Sequence, residues 1–582
     1  MRPWTEEMPD RLRFELQEFE RLGLDFKPDS RELDKRGRLI LQGHVPHKQA
    51  MIEAHIVYPD SFPYMRPEVY TPGLILHRHQ NPFNGNLCLL DRSSRAWDTT
   101  DTGAWLIAER LPYLLTLLEQ GGEALRSAEA PQGEPVTSFL ASASGAVMFI
   151  PEQTLQVPAE ITSGTLTLGL GMQQPVAQQL RAALLSVTAE REDPRAKPWH
   201  SKPVSPTIAA RFGSSELKGV WVRLPELPRT RDPNVILESV RAIHPAAADA
   251  RWKPSADGQI SVLGLLVPEE VRQGEIEQAW VFLIQLRPPA GINHPAQAYL
   301  LRGERFSPRD LQERIPALHG SSGKTVSLAG LGSLGGTLAM ELARAQVNTL
   351  RLLDVDHVEA GNIVRWPFGL TAVGHPKSEY LARHINIDYP FTEVQPVNLQ
   401  IGQAGPPDRQ GGPSEASTLT RFLDGSDLVI DATAELGVAQ LLADLATAAG
   451  IPLLSIWATE GGWGGGVVEL QPDSPGCWYC LQLRLADGSV PAPPAEPNSN
   501  VQPRGCTAPT FTATSFDMLE IVAQTMRATR RILLAPTGTS TVYICSMRNP
   551  DGSERSAPQW NTQRLQAHPE CPCCCSAAAE AA

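Results

Sequence analysis

The sequence predicts a multidomain α/β protein in which two α+β segments precede an open, mainly parallel sheet flanked by helices. Three observations predict it. The chain has 582 residues, too many for one hydrophobic core and enough for about three or four domains. From Lys324 onward strand-like and helix-like runs alternate, the pattern of βαβ units and hence of parallel strands. Upstream of that point the same two patterns occur without alternation and are separated by proline-rich stretches. The boundaries drawn from these shifts are 1–130, 138–318 and 320–582.

In the first segment Leu12, Leu16, Phe19 and Leu22 recur at helical spacing and predict a helix over Arg11–Leu22. Runs at Arg38–Gly43 and Ile52–Tyr58 predict strands. Tyr58–Pro67 holds three prolines and is expected to be irregular, because proline fixes φ and has no N–H to give. A helical pattern returns over Trp105–Leu118, and Gln132–Thr137 reads as a linker. The middle segment, an expected α+β domain of unknown function, has strand patterns at Val147–Ile150, Thr165–Leu170, Gly219–Arg223, Ile260–Leu266 and Gln278–Leu286, and a proline-rich stretch at Asp193–Pro206. It has no glycine loop and no cysteine, and no chemistry is assigned to it.

The third segment opens with a buried-strand pattern (Thr325–Ala329), a glycine loop, a helix (Thr337–Gln346) and a strand (Thr349–Leu353), which together make a βαβ unit. A strand over Asp427–Asp431, a helix over Val438–Ala448 and a strand over Pro452–Trp457 continue the alternation. Two long proline-rich segments, Gly402–Ser417 and Ala486–Arg504, interrupt it; loops of that length in a compact domain are usually functional or disordered. A helix is expected over Phe516–Arg530 and a frayed tail over Ser576–Ala582.

Composition narrows the function. A net charge of −13 argues against a broad electrostatic grip on nucleic acid or an anionic membrane. No run of about 18 apolar residues is present, and the acidic N-terminus lacks an apolar stretch, so a cytoplasmic protein with no membrane span is expected. The nine cysteines, an odd number without a secretion signal, point to metal ligands and reactive thiols rather than disulfides. Of the 51 basic residues only nine are lysines, none after Lys377. Codon bias accounts for this, and scarcity would also protect an enzyme that carries an activated acyl group from modifying itself.

Gly330-Leu-Gly332-Ser-Leu-Gly335 follows a strand and opens a helix, so backbone N–H groups can approach phosphates at the helix N-terminus. Asp354 ends the next strand, where it can bond a ribose hydroxyl. Asp356, Asn362, Arg365 and Lys377 follow, a series that a hydride-transfer enzyme does not need. Arg and Lys neutralise polyphosphate charge as it develops, and Asn can bridge ribose and phosphate. With these residues the segment resembles the ubiquitin-activating and ThiF/MoeB adenylyltransferases. The resemblance implies ATP, attack of a protein C-terminal carboxylate on the α-phosphate, and an acyl adenylate. It also implies Mg2+ held by an Asp in a D-x-T-D pattern. This chain has Asp431-Ala-Thr-Ala434-Glu435, which leaves Glu435 or Asp431 as substitutes, and Trp366 stands where a Gln usually follows the arginine. ThiF-like domains usually dimerise with an arginine reaching the partner's ATP, so a homodimer is expected, with Arg314 a candidate for that arginine.

Cys477-x-x-Cys480 and Cys571-x-x-Cys574 make two knuckles from which a structural, tetrahedral Zn2+ site can form, although Cys573 and Cys575 offer other registers. Cys506, in Arg504-Gly-Cys506-Thr507-Ala-Pro509, precedes a helix whose dipole favours a thiolate. The resemblance implies that it accepts the activated acyl group as a thioester. Cys545 lies in a strand pattern and is expected to be buried.

Cys88 is a second candidate nucleophile. Tyr58-Pro59, Phe62-Pro63, Arg66-Pro67, His79-Gln80-Asn81, Gly85-Asn-Leu-Cys88-Leu and Trp97 resemble the pattern of ubiquitin-conjugating enzymes, although the proline of their H-P-N element is absent. The resemblance implies that Cys88 receives the acyl group by thioester exchange, with Asn81 as an oxyanion donor. His77 and His79 could bind a metal with Cys88, but no fourth ligand with suitable spacing is evident. A conjugating segment, a linker domain and an activating domain, in that order, resemble the bacterial fusion enzymes of antiphage operons such as CBASS. The resemblance implies a ubiquitin-like protein or the C-terminus of a cyclic-nucleotide synthase as cargo, a target protein, and a deconjugating peptidase from the same operon. Two other readings stand beside it: activation of a sulfur carrier, which needs no conjugating segment, and a non-catalytic scaffold.

Overall fold

A computed structural model of the protein describes residues 3–90, 96–121, 133–140, 146–171, 181–189, 197–245, 260–287, 297–403, 414–502, 510–536 and 538–574. The chain forms two compact units, Met1–Phe306 and Ser307–Ala582.

In the first unit, the helix Pro9–Arg21 starts two residues earlier than the periodicity suggests, because Pro9 supplies a ready-made first turn. A four-stranded antiparallel sheet follows, made by Phe26–Pro28, Ile40–His47, Ala50–Val57 and Glu68–Tyr70 in that order. Phe19, Leu41, Ile56, Tyr58, Phe62 and Leu111 share its core. The predicted second helix is divided into Gly103–Trp105, a π-helical turn over Leu106–Arg110, and Leu111–Gln120. Pro112 has no N–H to give Ala108, and the helix widens over the turn before it.

The rest of the unit is an eight-stranded sheet, and here the α+β expectation is too coarse. Val147–Ile150 pairs with Gln297–Arg305 on one side and with Arg181–Ala189 on the other, which closes the sheet on itself. Trp221, Trp280, Phe282 and Leu184 are among the side chains of one buried cluster; another joins the same strands to the helix Pro233–Ile243. Val136–Phe139 is not a free linker. The backbone N–H of Thr137 donates to the buried Glu269 carboxylate (2.9 Å), so this turn is docked on the strand Ile260–Arg272.

The second unit holds the predicted βαβ architecture. Its sheet runs in the order Glu393–Val397, Thr349–Leu353, Thr325–Ala329, Leu428–Asp431, Leu453–Ala458, Gly464–Leu470, Thr541–Arg548, Glu554–Arg564. The first five are parallel and the last three antiparallel. Helices Ser333–Arg344, Lys377–Asp388 and Ser515–Leu534 bury their apolar stripes in one core. Glu415–Leu423, Leu436–Ala448 and Trp478–Ala486 bury theirs in a second. Burial on both faces explains why the central parallel strands Leu428–Asp431 and Leu453–Ala458 are mostly apolar. Among the described residues no helix is long and apolar enough to cross a membrane.

Candidate functional site

The glycine loop joins Thr325–Ala329 to a helix that begins at Ser333, four residues before the predicted start, so Gly335 and Gly336 are helical. Their helix propensity is poor, but the packing requires them. A Cβ on Gly335 would stand 1.8 Å from the Gly330 carbonyl oxygen, and one on Gly336 would stand 2.6 Å from Trp366 Nε1. Gly330 has φ +83°, a conformation open to glycine and costly for other residues. Gly332 caps the helix with no side-chain bond, and a Cβ there would meet open space. The first-turn N–H groups of such a helix lack intrahelical acceptors, the arrangement that suits a phosphate. Gly335→Ala is expected to destabilise the fold by about 1–3 kcal/mol through this clash and to remove the ATP-induced rise in melting temperature; urea unfolding and a thermal shift with ATP check both.

Asp354 is tied to that loop. Its Oδ2 accepts the Leu331 N–H (2.6 Å) and its Oδ1 the Asp356 N–H (2.7 Å). Burial pushes its carboxyl above the ordinary value, and the Lys377 charge works against the rise. Lys377, only 10% exposed at its side chain, bonds Asp356 Oδ2 at 2.9 Å, and its backbone N–H donates to the Asp356 carbonyl (2.9 Å). The structure thus joins the glycine loop, through the Leu331 N–H, to Asp354, Asp356 and Lys377 in one network. Asn362 closes a capping box with Glu359, its Oδ1 accepting the Glu359 N–H at 3.0 Å. Arg365 is engaged elsewhere: its guanidinium donates to the Phe511 carbonyl (2.8 Å) and to Thr510 Oγ1 (3.2 Å). Trp366 is structural, because its indole N–H donates to the Leu331 carbonyl (2.8 Å) from beneath the loop.

Of the two expected magnesium substitutes, Asp431 does not fit. Ala434 offers no side-chain oxygen. Asp431 is 1% exposed, and its two carboxylate oxygens already accept from Ser455 Oγ (2.7 Å), Thr433 Oγ1 (2.7 Å) and the Thr433 N–H (3.1 Å). Glu435 is exposed and is the remaining carboxylate of the segment.

Cys477, Cys480, Cys571 and Cys574 converge, with all four Sγ atoms within 4.8 Å of one another and recorded pairs at 3.6–3.7 Å. Zn–S bonds of about 2.3 Å in a tetrahedron require Sγ atoms roughly 3.8 Å apart, so the cluster has the size of a zinc cage. Cys573 is exposed and outside the cluster; Cys575 lies outside the described residues. Cys545 is buried on the strand Thr541–Arg548, and burial pushes its thiol up to about 12. Cys506, with Arg504, Thr507 and Pro509, also lies outside the described residues. The segment that contains it is flanked by Asn500–Val501 and Thr510–Phe511, which pair with each other. Arg314 is exposed, just after the helix Pro308–Gln312.

In the first unit Cys88 is half-buried in the wall of a cavity of about 690 Å³, shared with Arg66, His79, Asn81, Arg110 and Glu134. Its Sγ donates to the Leu90 carbonyl (3.3 Å). Asn81 sits beside it in a tight turn, its Oδ1 accepting the Phe83 N–H (2.9 Å) and its own N–H donating to the Asn86 carbonyl (2.8 Å). Tyr58 and Trp97 of the same motif make structural bonds elsewhere in the segment. The Tyr58 hydroxyl donates to the buried Glu15 (2.9 Å), and the Trp97 indole donates to the Pro63 carbonyl (2.8 Å). His77 is exposed, and among the described residues it forms no metal-ligand group with His79 and Cys88.

Residues 316–573 match the ThiF family. The y4oA protein of Sinorhizobium fredii is 30% identical over 98% of this chain and 97% of its own length. The ATP-dependent ubiquitin transferase-like protein Cap2 of Enterobacter hormaechei is 24% identical, over 44% of this chain and 40% of its own. A crystal structure of Escherichia coli MccB with ATP aligns at 15% identity with a TM-score of 0.32, over 45% of this chain and 68% of that one.

Proposed function

From a chain that belongs to the y4oA family and carries a ThiF/E1-like adenylyltransferase domain, we propose the following activity: ATP-dependent adenylation of a protein C-terminal carboxylate, capture of the acyl group by Cys506, its transfer to Cys88, and ligation to a target. The observation that carries the reading is the network joining the glycine loop through Asp354 and Asp356 to Lys377.

In this reading the loop N–H groups and the helix N-terminus hold the polyphosphate. Asp354 and Asn362 bind the ribose end. Lys377 leaves Asp356 to neutralise charge at the α-phosphate as the carboxylate oxygen bonds phosphorus and pyrophosphate departs, and Arg365 assists by leaving the Phe511 carbonyl and Thr510. No step is routed through magnesium, because the residues at 431 and 434 do not supply its ligands.

Cys506 then displaces AMP, its sulfur bonding the acyl carbon. Cys88 takes the acyl group by thioester exchange, with Asn81 placed to stabilise the oxyanion. The 24% identity to Cap2, which is named a ubiquitin transferase-like protein, supports a conjugation pathway in antiphage defence. In such a pathway the cargo is a ubiquitin-like protein or a cyclic-nucleotide synthase, a deconjugating peptidase reverses the product, and the enzyme works as a cytoplasmic homodimer with Arg314 offered to the partner's site.

The test is to mix the protein with ATP and each candidate cargo and look for a covalent adduct that thiol reductants release. Absence of any adduct and of ATP–pyrophosphate exchange with both cargo classes would leave the scaffold reading standing.

Cys477, Cys480, Cys571 and Cys574 hold a structural zinc ion that ties the C-terminal segment to the helix Trp478–Ala486; four thiolates leave no open position for chemistry. Metal analysis of the purified protein is expected to find about one zinc per chain. Cys571→Ser should lose the ion and lower the melting temperature, whereas Cys573→Ser should keep both.

A further inference from the structure

His79 and Cys88 sit opposite each other on two short antiparallel segments. Gln80 pairs with Leu87, the Cys88 N–H donates to the His79 carbonyl (2.7 Å), and the Asn81 N–H donates to the Asn86 carbonyl (2.8 Å). His79 and Cys88 are thus backbone neighbours across this pairing, and both line the cavity.

His79 is held there by unusual means. Its φ is +59°, in the left-handed region that non-glycine residues seldom enter. Glu134 secures it: the His79 N–H donates to both carboxylate oxygens (2.9 and 2.7 Å), and the ring Nδ1 lies 3.3 Å from Oε1. Glu134 is itself fixed. Its N–H donates to Glu270 Oε2 (3.2 Å), Glu270 is ion-paired with Arg78, and a Cβ on Gly133 would meet the Val271 backbone at 2.4 Å. A carboxylate on Nδ1 selects the tautomer whose Nε2 can accept a proton. A backbone clamp, a carboxylate–imidazole pair and a thiol at one cavity exceed what packing alone needs.

We infer that His79, positioned by Glu134, is the general base for acyl transfer from Cys88 to an amine. The inference rests on the reading that Cys88 carries an acyl thioester. The amine nitrogen attacks the thioester carbon and the C–N bond forms. The C–S bond breaks with its electron pair going to Sγ as thiolate, and the amine proton passes to His79 Nε2. Asn81 stabilises the oxyanion, so the two residues divide the work. Among the described residues, the other titratable or charged groups lining the cavity are Arg66, Arg78, Arg110 and Tyr113, with Glu270 behind Arg78.

The experiment uses the full chain with Cys506→Ser, which removes the activating thiol. A glycine-ended peptide thioester is offered, loading of Cys88 is located by mass spectrometry against Cys88→Ala, and discharge to glycinamide is timed from about pH 5.5 to 8.5, the range in which a histidine titrates. Asn tolerates left-handed backbone, so His79→Asn keeps the fold. It is expected to slow discharge about 100-fold. The ratio of parent to variant rates, in which the amine's own titration cancels, should rise with pH and then level. Glu134→Gln should also slow discharge and move the inflection, with Glu134→Asp restoring part of the rate. Normal loading with unchanged discharge and pH profile in His79→Asn would overturn the inference and leave the relay standing. Failure of Cys88 to load would overturn both.

Discussion

Lys377→Ala is expected to lower cargo-dependent ATP–pyrophosphate exchange by a factor on the order of 100 to 1,000, the usual effect of removing one charge stabiliser from a transition state. The size follows from position. Lys377 is nearly buried, its backbone and side chain are both held by Asp356, and its charge opposes the burial of Asp354. The same contacts predict a second, independent signature. The folded state holds the Asp354 carboxyl above its ordinary value, so it binds more protons than the unfolded chain between the two titration points. Asp354 therefore contributes stability in acid that declines as pH rises toward neutrality. Without Lys377 that penalty grows. The melting temperature of Lys377→Ala should fall further below the parent at pH 7 than at about pH 4, near the ordinary carboxylate titration. Lys377→Arg restores the charge but brings a larger, forked head into a buried slot, and should recover the stability better than the exchange. Exchange at the parent rate in Lys377→Ala would remove this lysine from the adenylation machinery.

What was legible in the sequence depended on how local the signal was. The glycine loop, Asp354 and the two cysteine knuckles are defined by short spacings, and the structure gathers the loop network and the four thiols accordingly. Long-range pairings carry no such signature. The closing of the middle sheet by Val147–Ile150 joins strands far apart in the chain, two of which, Arg181–Ala189 and Gln297–Arg305, have patterns too mixed to predict. Glu134 was missed for a related reason. It lies in a stretch whose Gln, Gly and Pro read as a linker, and only the docking of Gly133 and Thr137 on Ile260–Arg272 makes it part of a site. Trp366 looked like a lapse from pattern because its partner, the Leu331 carbonyl, is 35 residues away. Asp431 shows the opposite error: a carboxylate placed where a metal ligand belongs is consumed by Ser455 and Thr433.

Cys88→Ala is expected to abolish ligated product, by about a thousandfold or more, while leaving thioester on Cys506. The substitution is conservative for the fold. Cys88 gives one bond to the Leu90 carbonyl at 3.3 Å and lines a cavity, so its loss leaves no closed void and should change stability by under about 1 kcal/mol. Loss of product with an unchanged melting temperature would therefore be chemical in origin. The three readings of the chain separate on this one variant. In a relay, the cargo accumulates on Cys506 and the reductant-sensitive band persists. In sulfur-carrier activation, Cys88 is irrelevant and product forms at the parent rate. In a scaffold, neither cysteine becomes acylated. The reciprocal variant fixes the direction of flow: Cys506→Ala should leave Cys88 uncharged when ATP and cargo are supplied, yet a preformed peptide thioester should still load it. If Cys506→Ala charges Cys88 from ATP and cargo at full rate, the adenylate is attacked by Cys88 directly and the two-cysteine relay is wrong.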